Sequence, residues 1–304
     1  MLTMTPDTTA TVDAFVRLFR GRGDVYGHDE GRCVKSKITD DHWIDHLNGT
    51  SGMGVYPAVP TPDGAICAWG CTDIDVEDYG QALLLQSTLE EAAIVSWIER
   101  SRSKGYHVWI FVDRPIEAEA MRNMQLVAHQ VCDMPPKEVN PKQTDVSLHK
   151  YGNYVRLPYL GGLVETPVRR VILDINGDPM PLVDFVREAT RTINTPDIIR
   201  RIARMYEPPA QQQVVFNVSD PSTDLAEGLR QIGGLGYVIW RDGPLQGRDR
   251  SNTLARLAHI CNESGMSASA CAMVIRDADR RWGKFHGRAD CDEQIDKMVR
   301  RAYE

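Results

Sequence analysis

The chain has 304 residues, 42% of them hydrophobic and 25% charged, with a net charge of −7; this is long enough for a sizeable core and suggests about two domains. The acidic balance excludes a globally basic nucleic-acid binder, so a bound strand would need a local basic groove. No run is apolar enough to cross a bilayer, the N-terminus lacks a basic-then-apolar leader, and seven scattered cysteines without a CxxC pair give neither zinc ribbon nor disulfide framework, as expected in a reducing cytoplasm.

In chain order, residues 7–20 predict a helix capped by Asp7 or Thr8, with Val12, Phe15, Val16, Leu18 and Phe19 on its apolar face. The glycine- and charge-rich segment 21–33 predicts a loop, and 40–49 a short helix ended by Gly49. Residues 52–60 predict a short strand closed by prolines. A strongly apolar strand over 65–76 then carries Asp73 and Asp75 near its end. Over 80–104 apolar residues recur at helical spacing, which predicts a helix of several turns. A strand at 106–112, a turn at 113–115 and a second long helix over 116–132 follow. This alternation indicates an α/β or α+β core. Beyond a loop at 134–145 lie strand candidates at 153–161 and 168–175, and the chain turns helical from 182. Proline breaks and a polar tract place a linker at 205–224, and the remainder predicts about three helices.

Three clusters carry chemistry. Residues two apart in a strand project to one face, so Asp73 and Asp75 converge, about 7 Å apart. Carboxylates that close repel, and one titrates abnormally unless a cation lies between them. Mg²⁺ or Mn²⁺ resolves the conflict, because carboxylate oxygen is the preferred ligand of these ions; a solvated strand end is the plainer alternative. The stretch is not an EF-hand loop, since Asp78 and Leu84 stand where that loop needs Gly and Glu. In the second cluster, 100–115, backbone N–H groups of a Ser/Gly turn suit phosphate oxygens and Arg102 and Lys104 add charge. His107 opens the strand that follows; the alternative is a capped turn with a core-edge histidine. In the third, Glu138 follows two prolines, and Lys142, Asn153 and Arg156 offer donors to phosphate or base; a surface loop and edge strand would use the same residues. His42 and His46 share a helix face, but Trp43 holds the place of the catalytic Glu of HExxH and no third ligand is visible, so one buried imidazole is expected. No Walker loop and no G-x-S-x-G elbow occurs.

Taken in order, 73-DID-75, 101-SRSKGYHVW-109 and Glu138 resemble the motifs of the archaeo-eukaryotic primase superfamily: an hDxD strand, a small-residue turn ending in G-x-H before an apolar strand, and a third acid. The stretches 46-HLNG-49, 54-GVYP-57, 138-EVNPKQ-143 and 152-GNYVRLP-158 are similar to those of the phage, plasmid and conflict-system branch. The resemblance covers roughly residues 40–165, and 246–303 resemble the helical domain that follows such primases. It implies an α+β fold: a primase-polymerase core with an RRM-like antiparallel sheet and an N-terminal α/β module, then a small C-terminal helical domain. The expected division is a catalytic domain at 1–190, a helix and linker at 191–223 and the helical domain at 224–304. The resemblance further implies that Asp73, Asp75 and Glu138 hold two Mg²⁺ or Mn²⁺ ions. Many members use Asp as the third acid, and Asp145 competes with Glu138 for that place. His107 would act with Ser101, Arg102, Ser103 and Lys104 on the incoming triphosphate, and Lys142 and Arg156 would assist there or on the template. Tyr56, Trp109 and Tyr154 are candidates to stack on bases or to lie in the core.

The implied activity is a DNA primase and DNA polymerase that starts and extends primers on single-stranded DNA from NTPs or dNTPs. The setting would be phage or plasmid replication in the bacterial cytoplasm, with a helicase as partner and no membrane. Three rivals remain. A rolling-circle nuclease needs paired histidines and a tyrosine nucleophile, whereas His107 stands alone before Val108 and Trp109. A non-catalytic RRM-like binder needs exposed aromatics, not carboxylates, on its central strands. Against a repair polymerase of the same superfamily, partnered with a ligase, the helical tail favours replication.

Overall fold

The computed structural model describes residues 5–147, 150–208, 225–244 and 249–303, which divide into two units, Met1–Pro208 and Pro209–Glu304. The first begins with α1 (Pro6–Phe19), which buries Val12, Phe15, Leu18 and Phe19. Its cap is Thr5, whose side chain accepts from the Thr8 N–H, with Pro6 in the first turn; the sequence had pointed to Asp7 or Thr8. Inside the predicted loop lies a hairpin of β1 (Tyr26–His28) and β2 (Cys33–Val34). α2 (Asp40–Leu47) follows and ends at Gly49, which takes the left-handed conformation. The expected single strand at 52–60 is two, β3 (Met53–Val55) and β4 (Val59–Thr61), which enter different sheets.

The next elements form most of the larger sheet and the helices packed on it. They are β5 (Gly64–Ile74), α3 (Tyr79–Glu91), β6 (Trp97–Arg100), β7 (Tyr106–Glu117), α4 (Ala118–Val131) and β8 (Glu138–Asn140). This βαββαβ order, with the strands arranged β6-β7-β5-β8 and every neighbour antiparallel, is the RRM-like arrangement. Both helices pack on one face. A Cβ added at Gly70 of β5 would stand 2.5 Å from the side-chain nitrogen of Gln125 on α4, so the bare backbone lets helix and strand approach. The other face of the sheet is covered by α1, where Phe19 meets the edges of Trp109 and Phe111 at 5.0 Å.

Two sequence expectations fail in this sheet. The helix predicted through 104 stops at Glu91, and Ala93, with φ 60°, turns the chain into β6. Since β6 is covered on both faces, its consecutive Ile98 and Glu99 are both buried, as is Ile94 before the strand, and the stretch shows no strand alternation that sequence periodicity would detect. The turn predicted at 113–115 is strand instead. Pairing jumps from Trp69↔Phe111 to Cys67↔Ile116, so Val112–Pro115 bulge opposite Ala68, and Pro115 falls where the ladder is already interrupted.

The two later strand candidates shrink to β9 (Val155–Arg156) and β10 (Val171–Ile172). β9 returns to β3 and completes a four-stranded sheet, β2-β1-β3-β9; β10 extends the larger sheet beside β6. α5 (Leu182–Arg191) and α6 (Pro196–Ala203) close the unit. Most of the expected linker, 209–224, lies outside the described residues. The second unit has five helices among its described residues, not three: α7 (Leu225–Gln231), α8 (Gly233–Asp242), α9 (Arg250–Glu263), α10 (Ala268–Trp282) and α11 (Cys291–Tyr303). Its own core gathers Leu254, Leu257, Cys271, Val274, Ile275 and Val299.

Candidate active site

Side chains alternate along a strand. On β5 the positions that turn from α3 and α4 are Trp69, Cys71 and Asp73. Strand register sets beside Asp73 the residues Glu138 on β8 and His107 on β7, and beside His107 the residue Glu99 on β6. Four ionisable groups, Glu138–Asp73–His107–Glu99, therefore form one row across four strands. One step inward the row is Asn140–Cys71–Trp109–Trp97, mostly core. The charged row thus marks the line where the covered part of this face gives way to an open cavity of about 390 Å³, which all four groups line.

Burial raises the pKa of Asp73; His107 opposes the rise, and the charges of Glu138, Asp75 and Glu99 add to it. His107 Nδ1 donates to Glu99 Oε2 at 2.8 Å, and the same oxygen accepts from Trp109 Nε1 at 2.7 Å. Nε2 of His107 is thereby directed toward Asp73 Oδ1, 3.9 Å away. Burial lowers the imidazole's pKa, but the charge and hydrogen bond of Glu99 and the charge of Asp73 together outweigh it, and the net direction is upward.

Asp75 lies just past the end of β5 and also lines the cavity, 3.8 Å from Lys104 Nζ. Glu138 accepts from Lys142 at 3.2 Å and from Asn153 at 3.3 Å. Asp145 is exposed, pairs with Lys150 and is not part of the cavity wall. Each of the three cavity acids outside Glu99 thus faces a cationic side chain, and among the described residues no three Asp, Glu, His or Cys side chains close on a single point. The donor set nonetheless suits a hard divalent ion: Asp73 is forced upward by desolvation and like charge, which a cation would relieve.

The basic side is the turn 101–105. Gly105 has φ 82°, and a Cβ there would stand 2.1 Å from the Ile74 carbonyl oxygen, so glycine lets the turn press against the end of β5. Ser101 is buried and donates through its hydroxyl to the Lys104 carbonyl at 2.6 Å, shaping the turn, while Arg102, Ser103 and Lys104 are exposed at the cavity. Lys142 meets Glu138 and is not among the lining residues. Arg156, on β9, is.

Sequence reasoning missed Glu99, Asp29 and Arg170. Asp29 sits in the β1–β2 hairpin and collects three arginines. Both its oxygens accept from the buried Arg170 at 3.0 Å, while Arg156 and Arg102 approach at 3.5 and 3.8 Å. A Cβ at Gly52 would fall 2.7 Å from the Asp29 carboxyl carbon, so Gly52 provides its seat. One carboxylate against three guanidinium groups leaves net positive charge at the cavity, where Arg102, Arg156 and Arg170 all contribute to the wall. Asp29 is the carboxylate that Arg170 hydrogen-bonds, the Glu99 charge acting on it only through space, so Asp29→Ala should cost the fold about 2–4 kcal/mol in urea denaturation; an unchanged midpoint would show that the pair contributes nothing.

Of the stacking candidates, Trp109 and Tyr56 are buried in the core and Tyr154 lines the cavity. His46 is the expected buried imidazole. Its Nδ1 accepts from the Met53 N–H and its Nε2 donates to the Pro158 carbonyl, and burial lowers its pKa to about 4. His42 turns instead to Thr39.

The family described as the archaeo-eukaryotic primase domain of the TOTE conflict system matches residues 28–181, just over half of the chain. Among solved structures, one titled "Crystal structure of primase RepB'" is similar at 16% identity, covering 96% of this chain and 97% of that chain with a TM-score of 0.30. No curated protein matches. The matched span begins one residue before Asp29, ends beyond β10 and includes the whole charged row, and the chain belongs to the family of archaeo-eukaryotic primase domains of TOTE conflict systems.

Proposed function

We propose that this chain is a template-directed nucleotidyltransferase, a DNA primase-polymerase that starts primers on single-stranded DNA and extends them from NTPs or dNTPs. The observation that carries this reading is the row itself: Asp73, beside Glu138 and near Asp75, is an acid driven toward neutrality by burial and like charge at the wall of an open, cation-rimmed cavity. In this reading Asp73, Asp75 and Glu138 hold two Mg²⁺ or Mn²⁺ ions. When bound, such ions supply charge neutralisation on the triphosphate and lower the pKa of the attacking hydroxyl.

The chain's own groups do the rest. His107, oriented by Glu99, offers Nε2–H to a phosphate oxygen, and Arg102, Lys104 and Arg156 hold the polyphosphate tail in the manner of other phosphoryl-transfer sites. The 3′-oxygen of the growing strand attacks the α-phosphorus, the bond to the bridging oxygen breaks, pyrophosphate leaves and the hydroxyl proton passes to solvent. A role in phage or plasmid replication beside a helicase, in the cytoplasm, completes the proposal. A non-catalytic RRM-like binder is disfavoured, because Trp69, Trp109 and Phe111, on the face such a module would use, are buried.

The test is incubation with single-stranded DNA, labelled nucleotides and Mn²⁺ or Mg²⁺, first without a primer. Labelled product is expected. Extension only when an annealed primer is added would leave a polymerase and remove the priming; silence in both would overturn the reading.

A further inference from the structure

The four-stranded sheet meets the cavity along β9, whose Val155 and Arg156 line it together with Tyr154 just before the strand. Tyr154 precedes β9, and its ring lies against Gly27 of β1 and Gly54 of β3, which pair with each other. A Cβ at Gly27 would stand 2.2 Å from the ring, and one at Gly54 would stand 2.4 Å from it. Two side-chain-free positions on neighbouring strands therefore make a seat into which a flat ring drops. Tyr56 packs against the ring at 5.4 Å, the Arg156 guanidinium stands over it at 5.9 Å, and the Tyr154 hydroxyl donates to the His28 carbonyl at 3.4 Å, so the ring is fixed in place. It is nevertheless only half-buried and forms part of the cavity wall, next in sequence but one to Arg156.

A fixed aromatic ring beside a polyphosphate-sized basic patch matches a nucleotide in two parts. The guanidinium and ammonium groups suit phosphate, and an aromatic face suits a base of any identity, since stacking is tolerant of sequence. We propose that Tyr154 is a nucleobase seat, the glycine pair holding its ring so that a base stacks on it while the phosphates reach the row of charged groups. This rests on the nucleotidyl-transfer reading and adds to it a binding residue and its ligand chemistry. The base belongs either to the bound nucleoside triphosphate or to the single-stranded template, and the test separates the two.

The probes are ATP, inorganic tripolyphosphate, which has phosphates and no base, and a single-stranded thymidine dodecamer, each titrated by calorimetry in Mg²⁺ against wild type, Tyr154→Phe and Tyr154→Leu. Leucine keeps apolar volume in the seat, so the variant stays folded where alanine would leave a hole. We expect Tyr154→Leu to weaken ATP or the dodecamer by about tenfold, to leave tripolyphosphate within about twofold, and Tyr154→Phe to match wild type. Loss for ATP assigns the base to the substrate; loss for the dodecamer alone assigns it to the template, and both support the seat. Equal weakening of ATP and tripolyphosphate would mean that Tyr154 only shapes the wall, and no weakening of either base-bearing probe would likewise overturn the proposal. A wild type that binds none of the three probes removes the nucleotidyl-transfer reading together with it.

Discussion

Asp73→Ala should lower nucleotide incorporation by about 10²–10³-fold or more while the protein remains folded. The two halves of that expectation come from different facts. Activity falls because Asp73 is the acid at the centre of the row, flanked in register by Glu138 and His107. Folding survives because the ionised carboxylate is a burden to the apo fold. Its pKa is raised, first by burial and then by the charges of Glu138, Asp75 and Glu99, with His107 pulling the other way. An acid whose folded pKa lies above its unfolded value of 3.8 contributes stability below that value and loses it as pH climbs through the raised one. At neutral pH the charge is therefore destabilising, and Asp73→Asn removes it at nearly constant shape. Thermal unfolding in chelator should show Asp73→Asn at least as stable as wild type at pH 7, with any advantage gone by about pH 4. A variant that copies DNA at the wild-type rate would end the assignment of Asp73 to catalysis. One that is inactive but markedly less stable at pH 7 would mean that its loss of activity reports unfolding.

What the chain reveals along its length is what local periodicity and spacing encode. β5 and β7 are long and apolar, α4 is amphipathic, and the DxD and G-x-H patterns stand on contiguous residues, so all could be read before any coordinates. β6 could not. Both of its faces are covered, and Ile94, Trp97 and Ile98 fall at spacings a helix would also produce, which attached them to α3. Glu99 was lost with the strand: in a helix it is one more surface acid, whereas in β6 it is a buried acceptor opposite His107. Its signal was a lone acid at the end of an apolar run. Asp29 and Arg170 are 141 residues apart and meet only through the return of β9 and β10 to the sheets. No spacing rule reaches that far. Gly27 and Gly54 likewise look like ordinary turn or strand glycines until the ring of Tyr154 is found lying on them.

The Glu99 link yields the largest stability effect expected of any substitution in the site. Glu99→Ala should destabilise the protein by about 3–5 kcal/mol. It strips the acceptor from two donors at once, Trp109 Nε1 and His107 Nδ1, and Trp109 is fully buried. Glu99→Gln keeps one acceptor oxygen and the shape, so it should cost less, about 1–2 kcal/mol at high pH. The difference between wild type and Glu99→Gln should then depend on pH with a defined sign. His107 titrates above its ordinary 6.5 because, although burial is the largest single influence and lowers it, the charge and hydrogen bond of Glu99 with the charge of Asp73 together outweigh burial. A base with a raised folded pKa contributes its full stabilisation below the unfolded value and loses it as pH rises through the folded one. The gap in urea midpoints between wild type and Glu99→Gln should accordingly be widest below pH 6.5 and narrow as pH rises past the folded value. A gap that stays constant across that range would show that Glu99 only fills a hydrogen-bonding vacancy and does not charge the imidazole. If instead the gap narrows, and Glu99→Gln raises the KM for nucleotide more than it lowers kcat, the same carboxylate that stabilises the sheet also keeps His107 fit to meet a phosphate.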